Sequence, residues 1–310
     1  MKTKFAIALH GGAGTIPKGS LDAATELAYT DALKEALNRG YDLLKKGGSA
    51  LDAVELAVKS LEDCPLFNAG KGAVFTHTGQ HELDACIMDG ATLNVGAICG
   101  ITGIKNPIEL AKTVMLESEH VLLSGNGAVE FAKSKGLIFE DAAYFHTDFR
   151  YQQWQELKNS DVFQLDHTLP IEQKSGTVGA VAMDKNGNLA AATSTGGMTN
   201  KKFGRIGDSP IVGAGTYANN EIVAISCTGH GEPFIKAVVA YDVACLMQYK
   251  KLSLHAACQE VVMHKLPKMD GEGGLIAIDN KGNIELCFNS EGMYRGQKNS
   301  NGVEEVAIYR

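Results

Sequence analysis

The chain has 310 residues, of which 45% are hydrophobic and 21% charged, and it carries a formal net charge of −7 at pH 7. This composition is that of a globular protein with enough material for a substantial core. An acidic balance without a basic stripe argues against nucleic acid as a partner, and no apolar run reaches membrane-spanning length. Seven scattered cysteines without a C-x-x-C pair favour reduced thiols in a cytoplasmic protein.

The first half of the chain begins with an apolar strand predicted over residues 5–9. The glycine-rich stretch 10–15 follows, but it lacks the Gly-Lys-Ser/Thr of a phosphate cradle, so close backbone packing beside a cleft is the better interpretation. Ser20 is expected to cap a long helix over 21–46, and a second helix is predicted over 50–62. Helical spacing of apolar residues indicates that both helices face a core.

Irregular structure and strands are predicted next. The glycine-containing loop 61–76 exposes several carbonyl groups, which are suitable ligands for a monovalent or hard cation, although such loops more often bond to water. The remaining segments of this half are predicted as strands over 82–90 and 94–101 and helices over 107–117, 126–135 and 151–157.

The second half begins with a buried strand over residues 177–183, which forms a hairpin with a strand over 189–193. A polar, aperiodic segment, 158–175, precedes it and is interpreted as a linker on the surface. Further elements are predicted as helices over 234–249 and 253–265 and strands over 274–279, 284–289 and 303–308. Strands and helices thus come in separate runs, which indicates one sandwich of packed sheets with helices outside rather than alternating βαβ units.

Three other stretches of the second half contain polar residues that are candidates for a site. They are the hydroxyl-rich segment 193–200, the glycine–proline loop 204–210 and the turn 226–232. Taken separately, each has an ordinary structural explanation: a capped turn, a surface ion pair and a helix start. The junction between Gly176 and Thr177 is likewise explained by a loop entering a strand.

Taken together, these stretches resemble the plant-type L-asparaginase/isoaspartyl peptidase family of N-terminal-nucleophile hydrolases, most of all its bacterial isoaspartyl peptidases. The similarity runs almost from end to end of the chain. It implies an α+β fold, an αββα four-layer sandwich in a single domain. The motifs that carry it are Gly176-Thr177-Val178-Gly179-Ala180-Val181-Ala182, Ser194-Thr195-Gly196-Gly197, Arg205-Ile206-Gly207-Asp208, Cys227-Thr228-Gly229-His230-Gly231-Glu232, His10-Gly11-Gly12-Ala13-Gly14 and Pro65-Leu66-Phe67-Asn68-Ala69-Gly70.

The resemblance implies that the precursor cuts itself between Gly176 and Thr177, giving an alpha subunit, 1–176, and a beta subunit, 177–310. The freed α-amine of Thr177 would then be the base for its own hydroxyl, because a terminal amine with a pKa of roughly 7.7–8.0 is partly neutral near physiological pH. No histidine triad and no cofactor are then required for the chemistry. Two processed αβ units are expected to pair into a dimer.

Site roles follow from the same resemblance. Thr195 is expected to tune the nucleophile, and Thr228 and Gly229 would form an oxyanion hole with Asn68 nearby. Arg205 would grip the substrate α-carboxylate, while Asp208 and the backbone of Gly231 would hold its α-ammonium group. L-asparagine and β-aspartyl dipeptides leave both α groups free, whereas an ordinary peptide does not, so these residues explain the expected specificity.

A structural sodium ion is also implied, bound only by main-chain carbonyl oxygens. Lys71 would repel the ion unless its side chain points outward. His230 stands where family members often carry a small or hydroxyl residue, and a solvent-facing ring is expected. The expected sodium ligands are Leu61, Glu62, Cys64, Phe67, Ala69 and Lys71.

Three alternatives to a self-processing isoaspartyl peptidase and L-asparaginase remain open, of which a protein-substrate endopeptidase of the same fold is a more distant one. A glycosylasparaginase is typically exported and disulfide-bonded, and the absence of a signal sequence argues against it. A non-cleaving binding protein on the same fold is disfavoured by the intact catalytic motifs.

Overall fold

Two β-sheets lie face to face at the centre of the molecule, and helices cover the outer face of each. The computed structural model describes residues 4–158 and 176–310, so most of the predicted linker, 159–175, lies outside the described residues. Both halves of the chain contribute strands to the larger sheet. The α+β, four-layer sandwich expected from the sequence is therefore confirmed.

The larger sheet has eight strands in the order β12-β11-β1-β5-β6-β2-β3-β4, and the smaller has four in the order β10-β9-β8-β7. Neighbouring strands are antiparallel except for β3 and β4, which are parallel. The strands are β1 (Ala6–Gly14), β2 (Leu83–Asp89), β3 (Val95–Ile101), β4 (Leu122–Ser124), β5 (Val178–Met183), β6 (Leu189–Thr195), β7 (Thr216–Asn219), β8 (Val223–Gly229), β9 (Gly273–Asp279), β10 (Ile284–Phe288), β11 (Gly292–Asn299) and β12 (Glu304–Tyr309).

Four helices of the first half, α1 to α4, pack on the larger sheet, and α8 and α9 of the second half pack on the smaller one. A π-helical segment, Glu260–Lys265, continues the last helix. The helices are α1 (Ala23–Lys45), α2 (Ala50–Glu62), α3 (Pro107–Glu117), α4 (Gly125–Ser134), α5 (Ala142–Phe145), α6 (Asp148–Leu157), α7 (Gly231–Ala237), α8 (Val239–Lys250) and α9 (Leu254–Gln259).

The layer between the two sheets is filled by small and medium-sized apolar side chains. Ala8 and Val181 of the larger sheet are fully buried here, as are Ala224 and Ile276 of the smaller one. Because the residues of one face alternate along a strand, the opposite faces of β1 and β5 bury Ile7, Leu9 and Ala180 against the helices. This double burial explains why both strands read as almost continuous apolar runs.

The cap of the first helix and the extent of the first strand both differ from their predictions. Asp22, rather than Ser20, caps α1 by accepting a hydrogen bond from the amide of Thr25. β1 extends through the glycine-rich stretch to Gly14, with a bulge between His10 and Gly12. Gly12 has φ +115°, and a side chain there would lie 2.3 Å from the nitrogen of Gly176. The glycines therefore allow β1 to run directly against the predicted cleavage point.

The predicted helix over 234–249 is also wrong as a single element. The chain breaks at Val238, which adopts the left-handed conformation with φ 51°, and two helices, α7 and α8, result. The strand β11 was not predicted at all, although it pairs with both β1 and β12.

Within the two described ranges, no helix combines the length and hydrophobicity that crossing a membrane requires. All seven cysteines belong to these ranges and none forms a disulfide there, with five of them buried and Cys64 and Cys245 half-buried. The prediction that most of the thiols are buried is confirmed.

Candidate active site

The ends of strands from both sheets meet around one small cavity. Thr177 lies just before β5, Thr195 ends β6, and both belong to the larger sheet. Thr228 comes from β8 of the smaller sheet. The cavity has a volume of about 30 Å³, which is room for roughly one water molecule. The structure brings together on its wall every residue predicted for catalysis, substrate binding and cleavage: Asn68, Gly176, Thr177, Thr195, Arg205, Asp208, Thr228, Gly229 and Gly231.

The hydroxyl of Thr177 is oriented by its neighbour across the hairpin. Thr177 Oγ1 donates a hydrogen bond of 3.1 Å to Thr195 Oγ1. The amide of Gly197 donates a second hydrogen bond to Thr195 Oγ1, at 3.0 Å. Because Thr195 accepts both, its oxygen holds the Thr177 hydroxyl at the edge of the cavity. The amide nitrogen of Thr177 belongs to the peptide bond with Gly176 in the continuous chain.

Asn68 fixes the segment that follows Thr195. Its amide nitrogen Nδ2 donates to the carbonyl of Gly197 at 2.7 Å, and its Oδ1 accepts from the amide of Val74 at 3.0 Å. Both polar ends of this side chain are therefore engaged in connecting two loops on the cavity wall. A second N–H of Nδ2 remains for a ligand.

A buried chain of hydrogen bonds reaches Thr177 from the smaller sheet. His10 Nδ1 lies 2.9 Å from the carbonyl oxygen of Thr177, and Nε2 lies 2.9 Å from Ser226 Oγ. Burial lowers the pKa of His10 to about 3, so the ring is neutral. A carbonyl can only accept, so Nδ1 carries the proton and Nε2 accepts from Ser226. The chain continues to Thr193 Oγ1 at 2.7 Å and from there to Thr216 at 2.7 Å.

Thr228 contributes a buried hydroxyl that faces the cleavage point. Its Oγ1 has no hydrogen-bond partner among residues 4–158 and 176–310, and it lies 3.5 Å from where a side chain on Gly176 would begin. An unsatisfied buried hydroxyl is costly, so such groups are commonly found where a ligand or reacting atom completes them. Gly229, next along the chain, has φ +144° and ends β8 at the same cavity.

Arg205 is held by an acidic residue that was not predicted as part of the site. Its Nε and Nη2 donate to the carboxylate of Glu232 at 2.9 and 2.8 Å. His230 Nε2 lies 3.1 Å from the same carboxylate, and its side chain is 30% exposed, so the ring is half-buried and only partly faces solvent. His230 and Arg205 together hold the pKa of Glu232 well below its usual range.

A guanidinium group has two edges that can each bind a carboxylate with a pair of N–H donors. Glu232 occupies the edge formed by Nε and Nη2. The other edge, formed by Nη1 and Nη2, lies beside Gly207 and Gly231, where an added side chain would meet these nitrogens at 3.0 and 2.9 Å. Both glycines line the cavity. Among the described residues no hydrogen bond from Nη1 competes for this free edge, which is therefore available to a ligand carboxylate there.

Asp208 supplies the opposite charge at the same wall. It is 4% exposed, and its Oδ2 has no hydrogen-bond partner in the described part of the chain. Burial raises the pKa of Asp208 to about 7. A side chain on Gly231 would lie 3.1 Å from Asp208 Oδ1, so the backbone of Gly231 passes directly beside this carboxylate. An ammonium group bound here would satisfy the orphaned oxygen and favour the ionised form.

The loop predicted to bind sodium closes on itself after α2. Hydrogen bonds from backbone amides reach the carbonyls of Leu61, Phe67 and Ala69 at 3.2, 2.9 and 3.2 Å. Each carbonyl keeps a second lone pair. A side chain at Gly72 would lie 2.2 Å from the oxygen of Phe67 and 2.6 Å from that of Pro65, so glycine is required where these two carbonyls pack against the loop. The Lys71 ammonium lies 5.3 Å from the centre of the Tyr144 ring.

The side chain of Glu62 supports the site, a role that was not predicted from the sequence. Its Oε1 accepts from Ser194 Oγ at 2.6 Å and from the amide of Ile108 at 2.9 Å. Ser194 is adjacent to Thr195, so Glu62 connects α2 and α3 to the strand that carries the candidate site. Burial raises the pKa of Glu62 to about 8, and the carboxyl is therefore mainly protonated at neutral pH.

Two features of the sequence indicated polar residues of the site to which the prediction assigned no role. His10 begins the glycine-rich stretch, and a buried histidine beside glycines needs partners for both ring nitrogens. Glu232 lies two residues after His230 and follows a strand end, where a carboxylate can reach across a turn. Neither signal specifies the partner, because Thr177 and Arg205 lie far away along the chain.

The comparisons with known proteins agree with this arrangement. A family model described as asparaginase matches residues 3–308. The chain is 53% identical to an isoaspartyl peptidase of Escherichia coli K12 over 310 residues, covering 99% of this chain and 97% of the relative. A plant-type L-asparaginase of Pyrococcus abyssi is 44% identical over 300 residues, covering 93% of this chain and 94% of the relative. An isoaspartyl peptidase/L-asparaginase of Danio rerio is 41% identical over 284 residues, covering 92% and 89%. The chain therefore belongs to this asparaginase family.

Proposed function

We propose that the chain is a self-processing hydrolase that cleaves β-aspartyl dipeptides and converts L-asparagine to L-aspartate and ammonia. The observation that carries the proposal is the hydroxyl of Thr177, which lies between Thr195 Oγ1 and the cavity that also contains Arg205 and Asp208. The names and the full-length similarity of the relatives support the same activity.

Maturation would begin with attack of Thr177 Oγ1 on the carbonyl carbon of Gly176. The peptide C–N bond breaks as the new ester C–O bond forms, and the hydroxyl proton moves to the departing amine. Water then hydrolyses the ester, which leaves a carboxylate on Gly176 and an α-amine on Thr177. Gly176 forms part of the cavity wall, so its release would enlarge a cavity that is too small for asparagine in the uncut chain.

Turnover would use the same hydroxyl on a new carbonyl. The α-amine of Thr177 accepts the hydroxyl proton as Oγ1 attacks the side-chain carbonyl of the substrate. Thr228 Oγ1 and the backbone at Gly229, which line the cavity, would stabilise the oxyanion. The amine then gives its proton to the leaving nitrogen, and water hydrolyses the aspartyl ester to release L-aspartate. The chain's own groups are sufficient, and no cofactor takes part.

Substrate selection would depend on two opposite charges. The free edge of Arg205 binds the α-carboxylate, while Asp208 and the backbone of Gly231 bind the α-ammonium group. A peptide joined through its α-carboxyl offers no free carboxylate at this position, so the second edge of Arg205 would be left without a carboxylate partner. This pair therefore favours amides of the aspartyl side chain over ordinary peptides.

Sodium, location and assembly complete the proposal. A sodium ion held by main-chain carbonyls of this loop, where the oxygen of Phe67 packs closely against Gly72, would brace the segment carrying Asn68 and take no part in the chemistry. We expect a cytoplasmic protein in which two processed αβ units form a dimer.

The test compares the products and substrates of the purified protein. A denaturing gel and intact mass should show chains 1–176 and 177–310 with a new amino-terminal threonine, together with turnover of β-aspartyl-leucine and L-asparagine. One uncut band after long incubation, without turnover of either compound, would refute the proposal. The ratio of the two turnover rates defines which substrate the enzyme prefers.

A further inference from the structure

A second, larger cavity adjoins the catalytic one. Its volume is about 570 Å³, and it shares Met198 and Arg205 with the wall of the catalytic cavity. Volumes of this size are typical of small-ligand sites. The remainder of its lining consists of Lys201, Lys202, Phe203, His230 and Glu232.

Phe203, in the wall of this cavity, combines an exposed aromatic ring with an unfavourable backbone conformation. Its side chain is 100% exposed, and its backbone adopts the left-handed conformation with φ 57°. Exposure of an apolar ring to water is unfavourable, and a positive φ is unfavourable for an L-residue that carries a side chain. Strained residues of this kind cluster where ligands bind.

We propose that this second cavity binds the amino acid that leaves when a β-aspartyl dipeptide is cleaved, and that Phe203 selects dipeptides whose second residue is apolar. The inference rests on the proposed function and assigns the substrate class within it. Since the acyl half would lie on Arg205 and Asp208, the leaving half must extend from the reacting carbonyl. The shared wall at Met198 connects the two cavities on this path.

The charged side chains of the cavity do not oppose such a leaving group. The second residue of a dipeptide ends in a free carboxylate, and the lining includes Lys202, while the ammonium of Lys201 is buried and lies 3.6 Å from the Glu82 carboxylate. Glu232 does not present an uncompensated negative charge, because it is paired with Arg205 and lies 3.1 Å from His230. Among the described residues of the lining, a carboxylate entering this cavity therefore meets no unpaired negative charge.

L-asparagine provides an internal control because its leaving group is ammonia. Ammonia has no side chain or carboxylate to place in the second cavity, so its release depends on the catalytic cavity alone. β-Aspartyl-glycine places a carboxylate there but no side chain, whereas β-aspartyl-leucine places both. The three substrates thus separate the contribution of an apolar side chain from that of the reacting bond.

The experiment measures kcat/KM of the processed Phe203→Ala variant on these three substrates. We expect about a 10-fold loss for β-aspartyl-leucine, the scale of a lost apolar contact in a specificity pocket. L-asparagine and β-aspartyl-glycine should change by less than about twofold. The matched control is Leu93→Ala, because Leu93 is also left-handed, with φ 61°, and 52% exposed, but lies in the turn between β2 and β3.

The outcomes distinguish this inference from the function on which it rests. Equal losses on all three substrates, or no loss on β-aspartyl-leucine, would overturn the leaving-group site while the hydrolase proposal stands. Equal losses together with a changed oligomeric state would mean that Phe203 contacts a second copy, and would also overturn it. Failure of the unaltered protein to turn over any of the three would overturn the proposed function and this inference together.

Discussion

Arg205 and Glu232 form a two-pronged ion pair, with Nε and Nη2 of the guanidinium 2.9 and 2.8 Å from the carboxylate oxygens. The pair fixes one edge of the guanidinium and turns the other edge toward Gly207 and Gly231. A side chain that would otherwise sample many rotamers is thereby oriented before any ligand arrives. The two residues consequently make separate, testable contributions.

Removing the arginine should separate turnover from maturation. We expect Arg205→Ala to lower kcat/KM for L-asparagine by at least about 100-fold, since two charge-assisted hydrogen bonds to the substrate carboxylate are lost. Self-cleavage should persist, because the bond after Gly176 has no free α-carboxylate to grip. Arg39→Ala is the control, since Arg39 forms only an exposed ion pair with Glu35. Full activity in Arg205→Ala would refute the carboxylate clamp.

Glu232 should act through Arg205 rather than on the substrate. In Glu232→Gln the side chain keeps its size but loses the charge that holds the guanidinium. We therefore expect KM for L-asparagine to rise about 10-fold, the cost of roughly one hydrogen bond to a charged group, while kcat changes little. A fall in kcat at unchanged KM would contradict a positioning role. Measuring both constants against the unaltered protein provides the test.

Thr228 is predicted to stabilise the oxyanion. Thr228→Val removes the hydroxyl at nearly constant volume, so we expect kcat to fall by about 10²–10³ with little change in KM. Turnover must be expressed per mole of freed Thr177 amine, because the same hydroxyl lies beside Gly176 and slower maturation is also expected. Thr113→Val, which alters a helix-surface hydroxyl bonded to Glu109, is the control. Equal kcat in both variants would remove Thr228 from the mechanism.

Glu62 should make the stability of the fold depend on pH. Its pKa is raised from 4.5 to about 8 in the folded state, so between these values the folded protein retains a proton that the unfolded chain releases. Stability from this group is therefore greatest below about pH 4.5, decreases as pH rises and is fully lost above about pH 8. Glutamine cannot lose a proton, so Glu62→Gln should gain up to about 1.4 kcal/mol per pH unit relative to the parent across this window.

The measurement for Glu62 is urea unfolding at pH 5 and pH 8. The Thr177→Ala background keeps the chain in one piece, so that unfolding can be compared as a single transition. Glu35→Gln is the control, because Glu35 is exposed on α1. Parallel changes in the two variants between pH 5 and pH 8 would show that Glu62 is not the source of the dependence.

Local sequence patterns predicted the elements whose own residues determine their form. The bounds of α2 and α3 agree with the prediction to the residue, because Ser49 caps one helix and Pro107 begins the other. The polar stretch Gly292–Asn299 carries no alternation, and it becomes β11 only because β1 and β12 offer their backbone groups on either side. Such a strand is determined by tertiary pairing and has no signature in its own segment.

In the candidate site, too, residues within local motifs were predictable and contacts between distant segments were not. Ordered motifs located Thr177, Thr195 and Thr228, and the fold brings them to one cavity. Partners from distant segments were not predictable, because pairs such as His10 with Thr177 are contacts of the folded chain alone. The predicted roles of these residues await the variants described above.

The order of strands in the larger sheet has a consequence for the proposed cut. Strands from before the cut are hydrogen-bonded to strands from after it at three places in the sheet: β1 lies between β11 and β5, and β2 pairs with β6. Severing one peptide bond would leave these seams of backbone hydrogen bonds intact, so the two products should travel as one particle in native solution. Once unfolded, however, they would be independent molecules. Recovery of the fold would then become a bimolecular encounter, whose rate depends on concentration, and processing would make unfolding far harder to reverse.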